Sequence, residues 1–120
     1  MKMLKTILAA AVIIAAAAPA MAENRCGWIQ NPTPGNWSLS DKDGTWVIMS
    51  QGAGDEPPGM DNIPDISARQ YVRTNGNYGY ACACMEVDTD WNEGRITEIY
   101  SFRQLSLNKC NNDPALSSPE

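Results

Sequence analysis

Tyr78-Gly79-Tyr80-Ala81-Cys82-Ala83-Cys84-Met85-Glu86-Val87 is the stretch whose reading decides the fold. It contains no proline and alternates two sets of side chains, the period of two that belongs to a β-strand. One face is Tyr78/Tyr80/Cys82/Cys84/Glu86, and it is expected to point inward for most of its length. The other, Gly79/Ala81/Ala83/Met85/Val87, is small enough for a close neighbour. Upstream, Arg69 to Arg73 reads as a strand, and Thr74-Asn75-Gly76-Asn77 joins the two, because Asn-Gly favours a tight primed turn. Downstream, Asp88 to Gly94 turns the chain. Arg95 to Leu105 then resumes strand character, with Ile96, Tyr100 and Phe102 on one side and Ile99 on the other.

Further out, Trp37 to Ser40 and Thr45 to Ser50 flank the turn Asp41-Lys42-Asp43-Gly44, which predicts a hairpin with Trp37 and Leu39 facing Trp46 and Ile48. Glu23 to Asn36 carries Gly27, Pro32, Pro34 and Gly35, so it reads as turn-rich and not as central strand. Gln51 to Asp65 shows no period and holds three glycines, three prolines and four carboxylates; it is expected to be a long surface loop with Met60 and Ile63 touching the core. No 3.6-residue apolar period persists in the mature part. The expected fold is all-β: a small disulfide-stabilised antiparallel sheet of about five strands, a meander or partly open barrel.

The first 22 residues read as a removable export signal. Lys2 and Lys5 precede the apolar run Ile7–Ala18, Pro19 breaks it, and Ala20-Met21-Ala22 supplies small residues for cleavage before Glu23. The run is well short of the ~20 residues that span a bilayer, so no membrane insertion is expected. The periplasm or the medium of a bacterium is the expected destination. Residues 23–120 remain as a single β-rich domain, with a tail expected to fray after Pro114. In an oxidising compartment Cys26, Cys82, Cys84 and Cys110 are expected to form disulfides. Cys82 and Cys84 point in parallel from one strand face, which opposes a bond between them. Two long-range bonds follow, either Cys26–Cys84 with Cys82–Cys110 or the swap.

Loss of Lys2 and Lys5 takes the formal charge from −5 to −7. Seven dispersed bases on so acidic a chain make nucleic acid an improbable partner. The chain has no histidine, and its carboxylates cluster in predicted turns, so catalysis is not expected; a small hydrolase using turn carboxylates is the weakest alternative. Asp88-Thr89-Asp90-Trp91-Asn92-Glu93 begins like a calcium loop. It lacks glycine at the sixth position and glutamate at the twelfth, where Ile99 stands, so it reads as a solvated acidic turn. No metal and no cofactor are expected.

All nine aromatic residues fall after residue 22, enough to build most of a small core and still leave some for a surface. Trp91, set among charged turn residues, is the best candidate for an exposed recognition residue, followed by Trp28 and Tyr78. Asp55, Glu56, Asp88, Asp90 and Glu93 are the acidic candidates beside them. Such a set points to an exported binding protein with a protein or cell-envelope partner. An inhibitor or immunity-type protein would act by steric occlusion, the 51–65 loop or the Asp88–Glu93 turn entering a basic cleft. The alternative is an envelope structural protein that contacts glycan. Oligomeric state is left open by exposed strand edges.

Arg25-Cys26-Gly27-Trp28, Asn31-Pro32-Thr33-Pro34-Gly35-Asn36, Trp37 with Asp41, Asp43-Gly44 and Trp46, and Tyr71 to Gly79 followed by Cys82-Ala83-Cys84 together resemble a family of small exported bacterial proteins, domain of unknown function 4087. The resemblance covers nearly the whole mature chain. It implies a compartment and a domain boundary and carries no catalytic residue onto this sequence.

Overall fold

The decisive strand is longer than its sequence suggests, running from Tyr78 to Asp90, and it has neighbours on both edges. The computed structural model describes residues 22–119, so the export segment lies outside the described residues except for Ala22. In chain order the strands are β1 (Glu23–Thr33), β2 (Asn36–Asp41), β3 (Gly44–Met49), β4 (Val72–Asn75), β5 (Tyr78–Asp90) and β6 (Arg95–Leu105). A short helix, α1 (Leu107–Asn111), follows β6, and two single-turn 3-10 helices, Met60–Asn62 and Ile66–Ala68, lie between β3 and β4.

The strands form one mixed sheet in the order β1-β2-β3-β6-β5-β4, with β1 also paired to β5. All pairings are antiparallel except β3 with β6, which meet in parallel at the single pair Val47↔Arg95. The sheet therefore coils back on itself without closing into a true barrel. The expected all-β, disulfide-stabilised character holds, with six strands in place of about five.

The extra strand is β1, in the segment read from sequence as turn-rich. Its glycine and prolines serve the strand instead of breaking it. Gly27 lies so close to the Ser40 carbonyl that any Cβ would overlap it. Pro32 sits within a register shift between Gln30 and Thr33, where the β1–β2 ladder is interrupted. The β2–β3 hairpin forms, with Leu39 opposite Trp46 as expected, but a register shift after Trp37 sets that residue opposite Met49 instead of Ile48.

The two faces of β5 are reversed relative to expectation. Ala81, Ala83, Met85 and Val87 face the main core, with Ile29, Leu39, Trp46, Ile48, Ile66, Ile96 and Ile99. The tight curl of the sheet leaves little room inside, and alanines fit it. The cysteine face points outward and is covered by a second cluster in which Trp28, Cys82 and Cys110 are packed by Tyr80, Leu105, Leu107 and Leu116. Cys26 bonds Cys84 and Cys82 bonds Cys110, the first of the two pairings expected. Along β6 the inward residues are Ile96, Ile99 and Phe102, three apart, because register shifts after Glu86 and Asp88 reset the alternation; Tyr100 is thereby turned out to solvent.

Segment 51–65 is a strap across the seam that β3 and β6 leave unpaired. Ile99 N–H donates to the Pro58 carbonyl at 2.9 Å, and Asn62 Nδ2 donates to the Ile99 carbonyl at 3.0 Å. Asp55 accepts from Ser50 N–H at 3.0 Å and pairs with Arg95 at 2.6 Å. Met60 and Ile63 pack on the core as anticipated.

Candidate functional site

Near the mouth of the coiled sheet, where β1 runs beside Met85 and Val87 of β5, the interior is plugged by Arg25. Its backbone lies opposite Met85, a core residue, so its side chain enters the same space. Nη1 donates to Asp41 Oδ2 at 2.8 Å and to Asp43 Oδ2 at 2.9 Å, and Nε donates to Glu23 Oε2 at 2.8 Å. Burial alone opposes the guanidinium charge, but hydrogen bonds to Asp41, Asp43 and Glu23 outweigh it and hold the pKa above its ordinary value. Asp41 is buried too, and its Oδ1 accepts from Trp46 Nε1 at 3.0 Å and from Asp43 N–H at 2.9 Å. One cation thus organises three carboxylates, and the knot is net negative.

Two tryptophans complete it. The Arg25 guanidinium lies 4.2 Å from the centroid of buried Trp46 and 5.2 Å from that of Trp91. The two indoles meet edge to face, 4.8 Å apart at 89°. Trp91 is nevertheless 62% exposed, on a turn held by Glu93 N–H to Asp90 Oδ1 and by Val47 N–H to the Gly94 carbonyl. A shallow cavity of about 190 Å³ opens between Trp91, Trp46 and Asp43. An exposed aromatic ring is fixed in place and rimmed by acid, with its outer surface unused.

The other candidates divide. Trp28 is only 3% exposed, edge-on to Tyr80 at 5.2 Å, so it is a core residue and not a surface anchor; its outward strand face is roofed by the C-terminal segment. Asp55 is committed to Arg95, which removes it and the strapped 51–65 segment as a free arm, while Glu56 is exposed on that segment. Asp88 lies on β5 instead of in a turn and accepts from Tyr100 Oη at 2.6 Å, and Asp90 ends the same strand. Glu93 is exposed beside Trp91, whereas Tyr78 is half-buried at the far end of β5. Asp41 and Asp43, read as turn carboxylates, hold Arg25, and of the two only Asp43 lines the cavity beside Trp91. Among the described residues no group of three or more His, Cys, Asp or Glu is placed to hold a metal ion. Among them, too, no helix is long and apolar enough to cross a membrane.

Arg25 itself was missed from sequence, since its partners lie 16 and 18 residues away. A family model described as a protein of unknown function, DUF4087, matches residues 20–117. The chain belongs to this family. No curated protein and no solved structure matches it. Within the span that matches, three residues of this DUF4087 protein have plain physical roles: Cys26 and Cys84 staple β1 to β5, and Gly27 lets β2 approach.

Proposed function

We propose that this DUF4087 protein is an exported binding protein that engages a basic macromolecular partner through the Trp91 end of the sheet, acting by steric occlusion in the manner of an inhibitor or immunity protein. The observation that carries this reading is Trp91: a 62% exposed indole immobilised by Arg25 and Trp46. A large ring already held in one orientation loses little freedom on binding, which is what an interface anchor requires. Asp43, Asp90 and Glu93 set the sign of the partner. The strap 51–65 is tied down by Arg95 and Ile99, so the contact falls to Trp91 and the acidic residues around it.

The test is capture from the envelope and secreted fractions of the source bacterium, with the oxidised mature chain and its Trp91→Ala variant as parallel baits. The expected result is one stoichiometric protein of basic surface on the parent that is absent from the variant and eluted by raised salt. No retained protein, or equal retention by both baits, overturns the proposal.

A further inference from the structure

At the opposite end of β5, thirteen residues of strand away from Trp91 and roughly 40 Å along it, a second cavity gathers aromatic rings that the first site does not use. It measures about 220 Å³ and is walled by Trp37, Tyr71 and Tyr78, each half-buried. Its polar atoms are held before any ligand arrives. Asn31 Nδ2 is spent on the Thr33 and Asn36 carbonyls at 3.0 and 2.9 Å, which leaves its oxygen as an acceptor. Asp65 Oδ1 accepts from Ser67 N–H at 3.0 Å and Oγ at 2.6 Å, which leaves Oδ2. Tyr71 Oη donates to the Asn77 carbonyl at 2.9 Å and the Arg73 guanidinium sits 5.7 Å from the Tyr71 ring, so that wall is braced on two sides.

We infer that this cavity is a binding site for one neutral sugar ring of an oligosaccharide. The C–H face of a pyranose packs on indole and phenol rings, while its hydroxyls donate to fixed carboxylate and amide oxygens. The cavity offers acceptors at Asn31 and Asp65 and donors at the Trp37 indole and the Tyr78 phenol, so the ligand must bring groups that both donate and accept, as sugar hydroxyls do. The charge argues for neutrality, since Asp65 faces the cavity and Arg73 stands beside it. Size decides between a ring and something larger: the volume lies below the ~300–1,000 Å³ of clefts that engulf a drug-sized ligand. A single ring fits, with the remainder of the chain lying across the surface. The site is independent of Trp91.

The test is nuclear magnetic resonance on the oxidised mature chain, titrated separately with maltotriose, cellotriose and triacetylchitotriose. Four tryptophans give four indole signals, which separates this site from the other. At least one sugar is expected to shift the Trp37 indole and amides of 64–78 saturably, leave the Trp91 indole still, and bind with little salt dependence. Tyr78→Ala should weaken binding about tenfold, equivalent to ~1.4 kcal/mol; Asp65→Asn, which keeps one oxygen to accept from Ser67 N–H, should weaken it severalfold. The inference is overturned if no sugar shifts the Trp37 indole up to its solubility limit, if the shifts centre on Trp91, or if Asp65→Asn binds as the parent does.

Discussion

Arg25 and Asp41 are both buried where the coiled sheet opens, and Arg25 is the one cation that Asp41 pairs with, so removing the arginine strands a buried carboxylate. Arg25→Ala should therefore destabilise the oxidised chain by about 3–5 kcal/mol in urea unfolding. The double change with Asp41→Asn should recover part of that loss, because the orphaned carboxylate is then gone. A single-variant loss below about 0.5 kcal/mol would contradict the plug. Tyr100 makes a second residue-scale prediction. Its hydrogen bond to Asp88, with burial and Glu98 adding to it, pushes its phenol well above the usual range. A raised folded pKa stabilises below the ordinary tyrosine value near 10, and that stabilisation is lost as pH climbs through the folded value. In an alkaline spectroscopic titration of the parent, the Tyr100 phenol should ionise well above the usual range, and Asp88→Asn should bring its step down. A parent and variant with the same alkaline titration curve would rule the bond out.

At the scale of the element, the strap 51–65 stands in for a β3–β6 ladder. Gly59 has φ +86°, and any Cβ there would overlap the Ile99 carbonyl oxygen. Gly59→Ala should cost about 2 kcal/mol or more and should speed amide exchange at Ile99 beyond that of the β5 core; unchanged exchange would mean the strap does not depend on this approach. The Ser50 N–H, followed by Arg95, holds the Asp55 carboxyl below its ordinary range. A lowered folded pKa stabilises above the unfolded value near 4, and the contribution disappears as pH falls through the folded one. Ile99 protection should accordingly drop below about pH 4 ahead of the core, and Asp55→Asn should show the drop already at neutral pH. These elements also mark what could be read in advance. The hairpin was legible because Asp41-Lys42-Asp43-Gly44 and its flanking alternation are local signals. β1 was not, because the need for Gly27 arises from Ser40 across the sheet, and Pro32 is tolerated only at a register shift that pairing creates. The face of β5 was misread for the same reason: whether cysteine or alanine faces in depends on how tightly the sheet curls, which no ten-residue window encodes. Of the site, Trp91 was legible from its charged neighbours, whereas Arg25 and the Trp37/Tyr71/Tyr78 cavity depend on residues far apart in sequence.

For the whole molecule, the first strand and the last helix of the described residues are tied to the central strand, since Cys84 takes β1 and Cys82 takes α1. The bridged separations are 58 and 28 residues. The chain-entropy relation assigns them about 4.2 and 3.6 kcal/mol, a difference too small to rank them. Replacing either pair by alanines should therefore lower stability by a similar ~2–4 kcal/mol in thermal unfolding; a chain indifferent to one loss would show that the element so tied is held by packing alone. With that strand and helix secured and its seam strapped, the molecule presents Trp91 and its acidic rim on a rigid base. The most direct measurement of that claim is the dissociation constant of the captured partner for the parent and for Trp91→Ala, by calorimetry at low and raised salt. The account predicts at least about a 30-fold loss for the variant, the ~2 kcal/mol of an interface anchor, and weaker parent binding as salt rises. Binding by the variant within about twofold of the parent, the scale of a near-neutral peripheral contact, would contradict it.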